Sequence, residues 1–211
     1  MSAIANAKLL VVGGHTRSIG KTALVVDLIH AFPVARWTAV KITQYGHGVC
    51  SVNGEQCGCA PAEHPYSLDQ EGDLSGRTDT SRFLVAGAAR SLWLRTKQGQ
   101  LPAALPLLRE QLAGAGNVLI ESNALLGLLR PALYVAVLDP GLPDFKASAH
   151  RHLDLADAFV LRSPLSGSPW PGVSAAQIGR KPCFEQAFGA PLPAPLVNLV
   201  HGRFLAIPSD H

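Results

Sequence analysis

Long hydrophobic runs, a strong charge of one sign and an orderly cysteine framework are all missing from this 211-residue chain. Its apolar runs are strand length, short of the roughly 20 residues a membrane-spanning helix needs, so no membrane partner is expected. A net charge of only +3 leaves no electrostatic footprint for nucleic acid. The opening stretch MSAIANAK has no positive segment followed by an apolar one, so no secretory signal is expected and the expected location is cytoplasmic. There is no internal repeat and no low-complexity linker. One α/β domain over residues 1–211 is therefore expected, and a hydrophobic content of 47% is enough for its core.

What is present centres on residues 9–22, LLVVGGHTRSIGKT. Leu9, Leu10, Val11 and Val12 form an apolar run stopped by Gly13 and Gly14, the pattern of a buried parallel strand. Gly20, Lys21 and Thr22 then open an apolar-periodic helix beginning at Ala23. Strand, glycine turn and Gly-Lys-Thr at a helix start is the layout of a phosphate-binding loop. Backbone N–H groups of such a turn point at phosphate oxygens, and the helix start adds unpaired donors and partial positive charge. The expected nucleotide-binding set is Gly14, His15, Thr16, Arg17, Ser18, Ile19, Gly20, Lys21, Thr22 and Ala23. In it Lys21 reaches the terminal phosphates and Thr22 offers its hydroxyl to Mg²⁺. The usual spacing is G-x4-G-K-[ST]; here five residues separate Gly14 from Gly20, and His15 stands where the first glycine belongs.

Periodicity then predicts strand 8–12, helix 21–32, strand 37–42, a short helix over 78–88 and strand 90–95. It continues with helix 101–112, strands 117–122, 132–138 and 157–161, and a helix near 174–179. Residues 43–76 show neither period and read as a Cys-rich loop insertion. Alternating short strands and helices imply a three-layer α/β/α sandwich around a mostly parallel sheet.

Ligands of such sheets sit at the carboxyl ends of the strands, so polar residues there carry weight. Glu121 follows Val118, Leu119 and Ile120, where an acid holding Mg²⁺ or polarising water belongs; otherwise it caps the next helix. Asp79 is the second acid, either in the pocket or at a helix N-cap. Lys41 ends the second strand, as a phosphate- or substrate-binding lysine or a charge that snorkels to solvent. Lys21, Glu121 and Asp79 form the expected catalytic set, with Lys41 beside the nucleotide and Thr22 and Glu121 at Mg²⁺.

Cys50, Cys57 and Cys59 fall within ten residues, flanked by His47 and His64. Thiolate and imidazole suit Zn²⁺, and a metal there would staple the long loop. The C-x6-C-x-C spacing is not a standard zinc pair, and three unpaired cytosolic cysteines fit as well. Cys183 reads as a core residue, and His150 and His152 as part of a solvated helix face.

Together these residues resemble the MobB-type P-loop NTPases, small nucleotide-binding proteins associated with molybdopterin-guanine dinucleotide biosynthesis. The wider group includes metallocentre-maturation GTPases and dethiobiotin-synthetase-like enzymes. Three segments carry the likeness: VVGGHTRSIGKTALVVDLI, TAVKITQYGHG, and the run from Asp69 and Gly72 through Asp79-Thr80-Ser81-Arg82 to Ala86-Gly87-Ala88. The strand VLIES, ending in Glu121, is similar to the family's acidic strand, and the likeness spans about residues 8–140. It implies ATP or GTP with Mg²⁺, with Lys41, Asp79 and Glu121 lining one pocket. It also implies a homodimer paired across that pocket and a client protein in cofactor or metalloenzyme assembly.

The departures are the longer loop, the cysteine-rich segment at 48–68, Glu-Ser-Asn in place of Glu-Gly after the acidic strand, and the lack of an Asn-Lys-x-Asp guanine-reading motif. Three functions follow. One is a nucleotide hydrolase driving cofactor or metallocentre maturation. Another is a small-molecule kinase or ligase, with Lys41 and Asp79 on the acceptor. The third is a nucleotide-sensing module whose metal loop contacts a partner.

Overall fold

The computed structural model describes residues 7–45 and 65–206. Eight strands among them form one sheet: β1 (Lys8–Gly14), β2 (Thr38–Tyr45), β3 (Tyr66–Gln70), β4 (Arg90–Lys97), β5 (Asn117–Glu121), β6 (Leu133–Leu138), β7 (Ala158–Leu161) and β8 (Cys183–Glu185). Their order is β3-β4-β2-β5-β1-β6-β7-β8. Every pairing is parallel except that of β3 with β4. Helices are α1 (Lys21–Ala31), α2 (Asp79–Val85), α3 (Leu101–Gln111), α4 (Ala147–His152), α5 (Ala175–Ile178) and α6 (Ala194–Val200).

The alternation of side chains along β1 divides the core into two layers. Leu9 and Val11 face one cluster with Leu101, Ala104, Leu105 and Leu108 of α3. Leu10 and Val12 face the other, with Leu24, Val25 and Leu28 of α1, Phe83 of α2 and Leu196 and Val200 of α6. Helices thus cover both faces, giving the expected three-layer α/β/α arrangement. Central strands buried on both sides need apolar residues at every position, which is why β1, β5 and β6 read as continuous apolar runs.

Four elements differ from expectation. β2 runs on to Tyr45, into the stretch expected to hold no strand, so Lys41 lies within the strand and not at its end. β3 lies inside the stretch expected to hold no strand. It is an edge strand, with only Tyr66 and Leu68 packed on the core and Asp69 and Gln70 exposed, so five residues carry little periodic signal. β8 has three residues, and Cys183 within it is exposed, not core. α6 is read out of a Pro-rich tail; Pro193 stands at its N-cap, where a missing N–H costs no helix bond. No helix among the described residues is long and apolar enough to cross a membrane.

Candidate functional site

The loop between β1 and α1 is shaped by close contacts on every side. Asn123 lies just beyond β5; its Oδ1 accepts the Gly14 N–H (2.8 Å) and its Nδ2 donates to Gly14 O (2.6 Å). A side chain at Gly13 would collide with Asn123 and the Tyr134 hydroxyl. Ser18 (φ 55°) and Gly20 (φ 82°) take the left-handed conformation that turns the chain into α1. Gly20 is the N-cap of α1 and provides no side-chain cap; the Leu24 N–H closes the first helical turn on Gly20 O (3.0 Å). The donors of Lys21, Thr22 and Ala23 therefore stand at the helix start, as an anion site requires.

Five expected side chains converge there. Thr22 Oγ1 donates to Glu121 Oε2 (2.8 Å), joining the helix start to the end of β5. Glu121, 3% exposed, also accepts from Lys41 Nζ, which makes a second ion pair with Asp79 Oδ2 (3.0 Å). The parallel register sets Lys41 of β2 directly beside Glu121 of β5. Asp79 is not the N-cap of α2. That role belongs to Thr78, whose Oγ1 accepts the Ser81 N–H (3.1 Å), leaving the Asp79 carboxylate to face the lysine. Lys21 Nζ donates to Thr16 O (2.6 Å).

The two lysines respond differently to burial. Burial lowers the Lys21 ammonium to about 8, with the Glu121 charge opposing that and Lys41 and Lys146 adding to it. Burial also acts against Lys41, but Glu121 and Asp79 together outweigh it and hold Lys41 above its ordinary value.

The side chains of His15 and Thr16 bond to residues 139 and 144. Nε2 of His15 accepts the Asp139 N–H (3.0 Å), so Nδ1 carries the proton and donates to Asp144 O (2.7 Å). The ring lies against Phe145 and Trp170, with centroids 5.2 and 4.8 Å away. Burial lowers its basicity, in keeping with this neutral tautomer. The Thr16 hydroxyl donates to the Asp144 carboxylate. The first half of the loop is thus fastened to the 139–146 segment by the side chains of His15 and Thr16. Replacing His15 with Ala should cost about 2–3 kcal/mol in urea unfolding, through two lost hydrogen bonds and a cavity against Trp170. An unchanged midpoint would show that the ring braces nothing.

Sequence reasoning missed Arg162, just past β7. Its Nε donates to Ile19 O (3.2 Å) and its Nη2 to Gly20 O (2.6 Å). Its Nη1 donates to O and Oε1 of Gln186 (3.2 and 3.0 Å). Gln186 in turn donates through Nε2 to Asp27 Oδ2 of α1 (2.8 Å). The strand-end rule that singled out Lys41 and Glu121 points to Arg162 equally well. Asp139, just past a strand end, is engaged locally: its Oδ1 accepts from the Gly141 N–H and the Ser163 hydroxyl, both at 3.0 Å.

His47, Cys50, Cys57, Cys59 and His64 lie outside the described residues. Among the described residues no group of three or more His, Cys, Asp or Glu is placed to hold a metal ion. Thr22 and Glu121 do present hard oxygen atoms together, the donor type Mg²⁺ prefers when phosphates complete its shell.

A comparison with protein families finds no match, and a comparison with curated proteins finds none. Among solved structures, the chain is similar to HypB from Helicobacter pylori, seen in complex with nickel, with 13% sequence identity and a TM-score of 0.49. That similarity covers 95% of this chain and 86% of HypB.

Proposed function

We propose that this protein is a Mg²⁺-dependent P-loop NTPase acting on ATP or GTP in the maturation of a cofactor or metallocentre. One observation carries the nucleotide reading: Thr22, Lys41 and Asp79 meet around the buried Glu121 at the start of α1, with Lys21 beside them. A lone Gly-Lys-Thr turn needs no buried acid beside its threonine. A Mg²⁺-nucleotide site does, because phosphoryl transfer depends on positioning and charge. Bound Mg²⁺ would neutralise charge on the terminal phosphate oxygens.

In this reading Lys21 moves its ammonium from Thr16 O onto the phosphates. Thr22 and Glu121 would hold the metal and Glu121 would orient water, while Lys41 pairs with the buried carboxylate. The maturation role, a client protein and a homodimer paired across the site rest on the resemblance of residues 8–140 to the MobB-type proteins. A Zn²⁺ site in the cysteine segment belongs to the same proposal.

The test is the pH dependence of MgATP and MgGTP binding. Lys21 carries its proton below about 8. Bound phosphate favours the charged lysine, so binding above that pH must take up a proton. Affinity should be flat from about pH 6.5 to 7.5 and fall by up to about tenfold per unit above 8. The Lys21→Arg variant, charged throughout, should lose this slope. Affinity that rises with pH, or the same slope in Lys21→Arg, would contradict the role given to Lys21.

A further inference from the structure

Strand order gives the site a direction. β5 and β2, with Glu121 and Lys41, lie on one side of β1; β6, β7 and β8 lie on the other. The three-way pairing of Lys41, Asp79 and Glu121 fills the first side. A nucleotide with its terminal phosphates at Lys21 and Thr22 can extend its base toward the loops after β7 and β8, whose Arg162 and Phe188 border the phosphate loop at Gly20.

Phe188 stands there. It is 58% exposed, although phenylalanine is ordinarily buried. Its position is built: the Ala190 N–H bonds Ala187 O (3.1 Å), Gly189 takes φ 75°, and Gln186 Nε2 donates to Ala190 O (3.0 Å). The ring touches the phosphate loop closely enough that a Cβ added to Gly20 would lie 2.8 Å from Phe188 Cε1. The Arg162 guanidinium sits 5.1 Å from the ring centroid, held there by its bonds to Ile19, Gly20 and Gln186. Arg162 thereby couples the ring to the loop that would hold the phosphates.

Resting on the nucleotide reading above, we propose that Phe188, backed by Arg162, is the platform on which the nucleobase stacks. A π-face accepts any base, and four of the five N–H donors of the guanidinium behind it are bonded to Ile19 O, Gly20 O and the O and Oε1 of Gln186, which commits it to the loops rather than to base edges. Adenine and guanine nucleotides should therefore bind with similar affinity, within about fivefold, since stacking is tolerant of base identity.

The experiment measures binding of MgATP, MgGTP and magnesium tripolyphosphate to the wild-type chain, Phe188→Ala and Phe188→Trp. Phe188→Ala should weaken both nucleotides about tenfold and leave tripolyphosphate unchanged, as loss of one stacking contact implies. Phe188→Trp should restore nucleotide affinity. Unchanged nucleotide affinity in Phe188→Ala would overturn the proposal. So would an equal loss for tripolyphosphate, which would make Phe188 a brace for the loop. If wild-type protein binds tripolyphosphate and nucleotide alike, the phosphate site stands and the base platform falls. If it binds none of the three, both readings fall.

Discussion

Replacing Lys21 with Ala should lower the affinity for MgATP and MgGTP by about 100-fold, the effect of losing one or two charge-assisted phosphate bonds of about 1.5–3 kcal/mol each. Stability should move the other way or not at all. In the structure the Lys21 ammonium is desolvated enough to lower it to about 8, and its one neutral partner described here is the carbonyl oxygen of Thr16. A charge held at such cost contributes little to folding, so truncation should leave the urea midpoint level or slightly raised. Binding calorimetry beside an unfolding curve separates the two effects. Unaltered nucleotide affinity in Lys21→Ala would remove the loop from the site. A large fall in stability would mean the lysine serves the fold.

Lys41 should behave in the opposite way. Its ammonium bridges Asp79 and a Glu121 that is 3% exposed, so Lys41→Met leaves a buried carboxylate whose other described partner is the Thr22 hydroxyl. Breaking a buried pair from one side typically costs about 3–5 kcal/mol. Asp79 is 41% exposed and should add little to that. The Lys41→Met/Glu121→Gln double variant removes both charges and should recover most of the loss, because an amide in place of a carboxylate no longer demands a cation. A double-mutant cycle in urea would show strong coupling. Additive losses, or a Lys41→Met variant as stable as wild type, would mean that Glu121 is not held by Lys41. The recovered double variant should still fail to hydrolyse nucleotide, since Glu121 is assigned to metal and water.

The contrast between the two lysines shows what the sequence made legible. Glu121 could be found because parallel strands deliver their last residues to one edge, and an apolar run marks where β5 ends; Lys41, expected at a strand end, lies within β2 and meets Glu121 through the parallel register. β1, β5 and β6 were readable for the same reason: burial on both faces demands an uninterrupted apolar string. Asp79 was ambiguous, because an acid at a helix start reads as a cap or as a pocket residue. The structure separates these by giving the cap to Thr78. β3 and β8 escaped because edge strands of five and three residues are half exposed and need no apolar string.

His15 was harder to read. Its position in the loop suggested a role in phosphate binding, yet its ring is fixed by the Asp139 N–H and Asp144 O, groups more than 120 residues away in sequence. No local spacing encodes that contact. The additional loop residue has a physical counterpart in this arrangement. His15 and Thr16 are bonded to the 139–146 segment, and the chain then turns through Ser18 and Gly20 to begin the helix. Arg162 is reached by the strand-end rule, but the main-chain carbonyls of Ile19 and Gly20 that it bonds are more than 140 residues away in sequence, so no local spacing marks what it holds.

A crystal structure with Mg²⁺ and a non-hydrolysable ATP or GTP analogue tests the central claim most directly. The phosphates should occupy the 14–22 loop, with Lys21 Nζ drawn off Thr16 O onto phosphate oxygens and Thr22 Oγ1 turned from Glu121 to the metal. Nucleotide bound elsewhere, or bound in the loop with the Lys21–Thr16 and Thr22–Glu121 contacts intact, would contradict it.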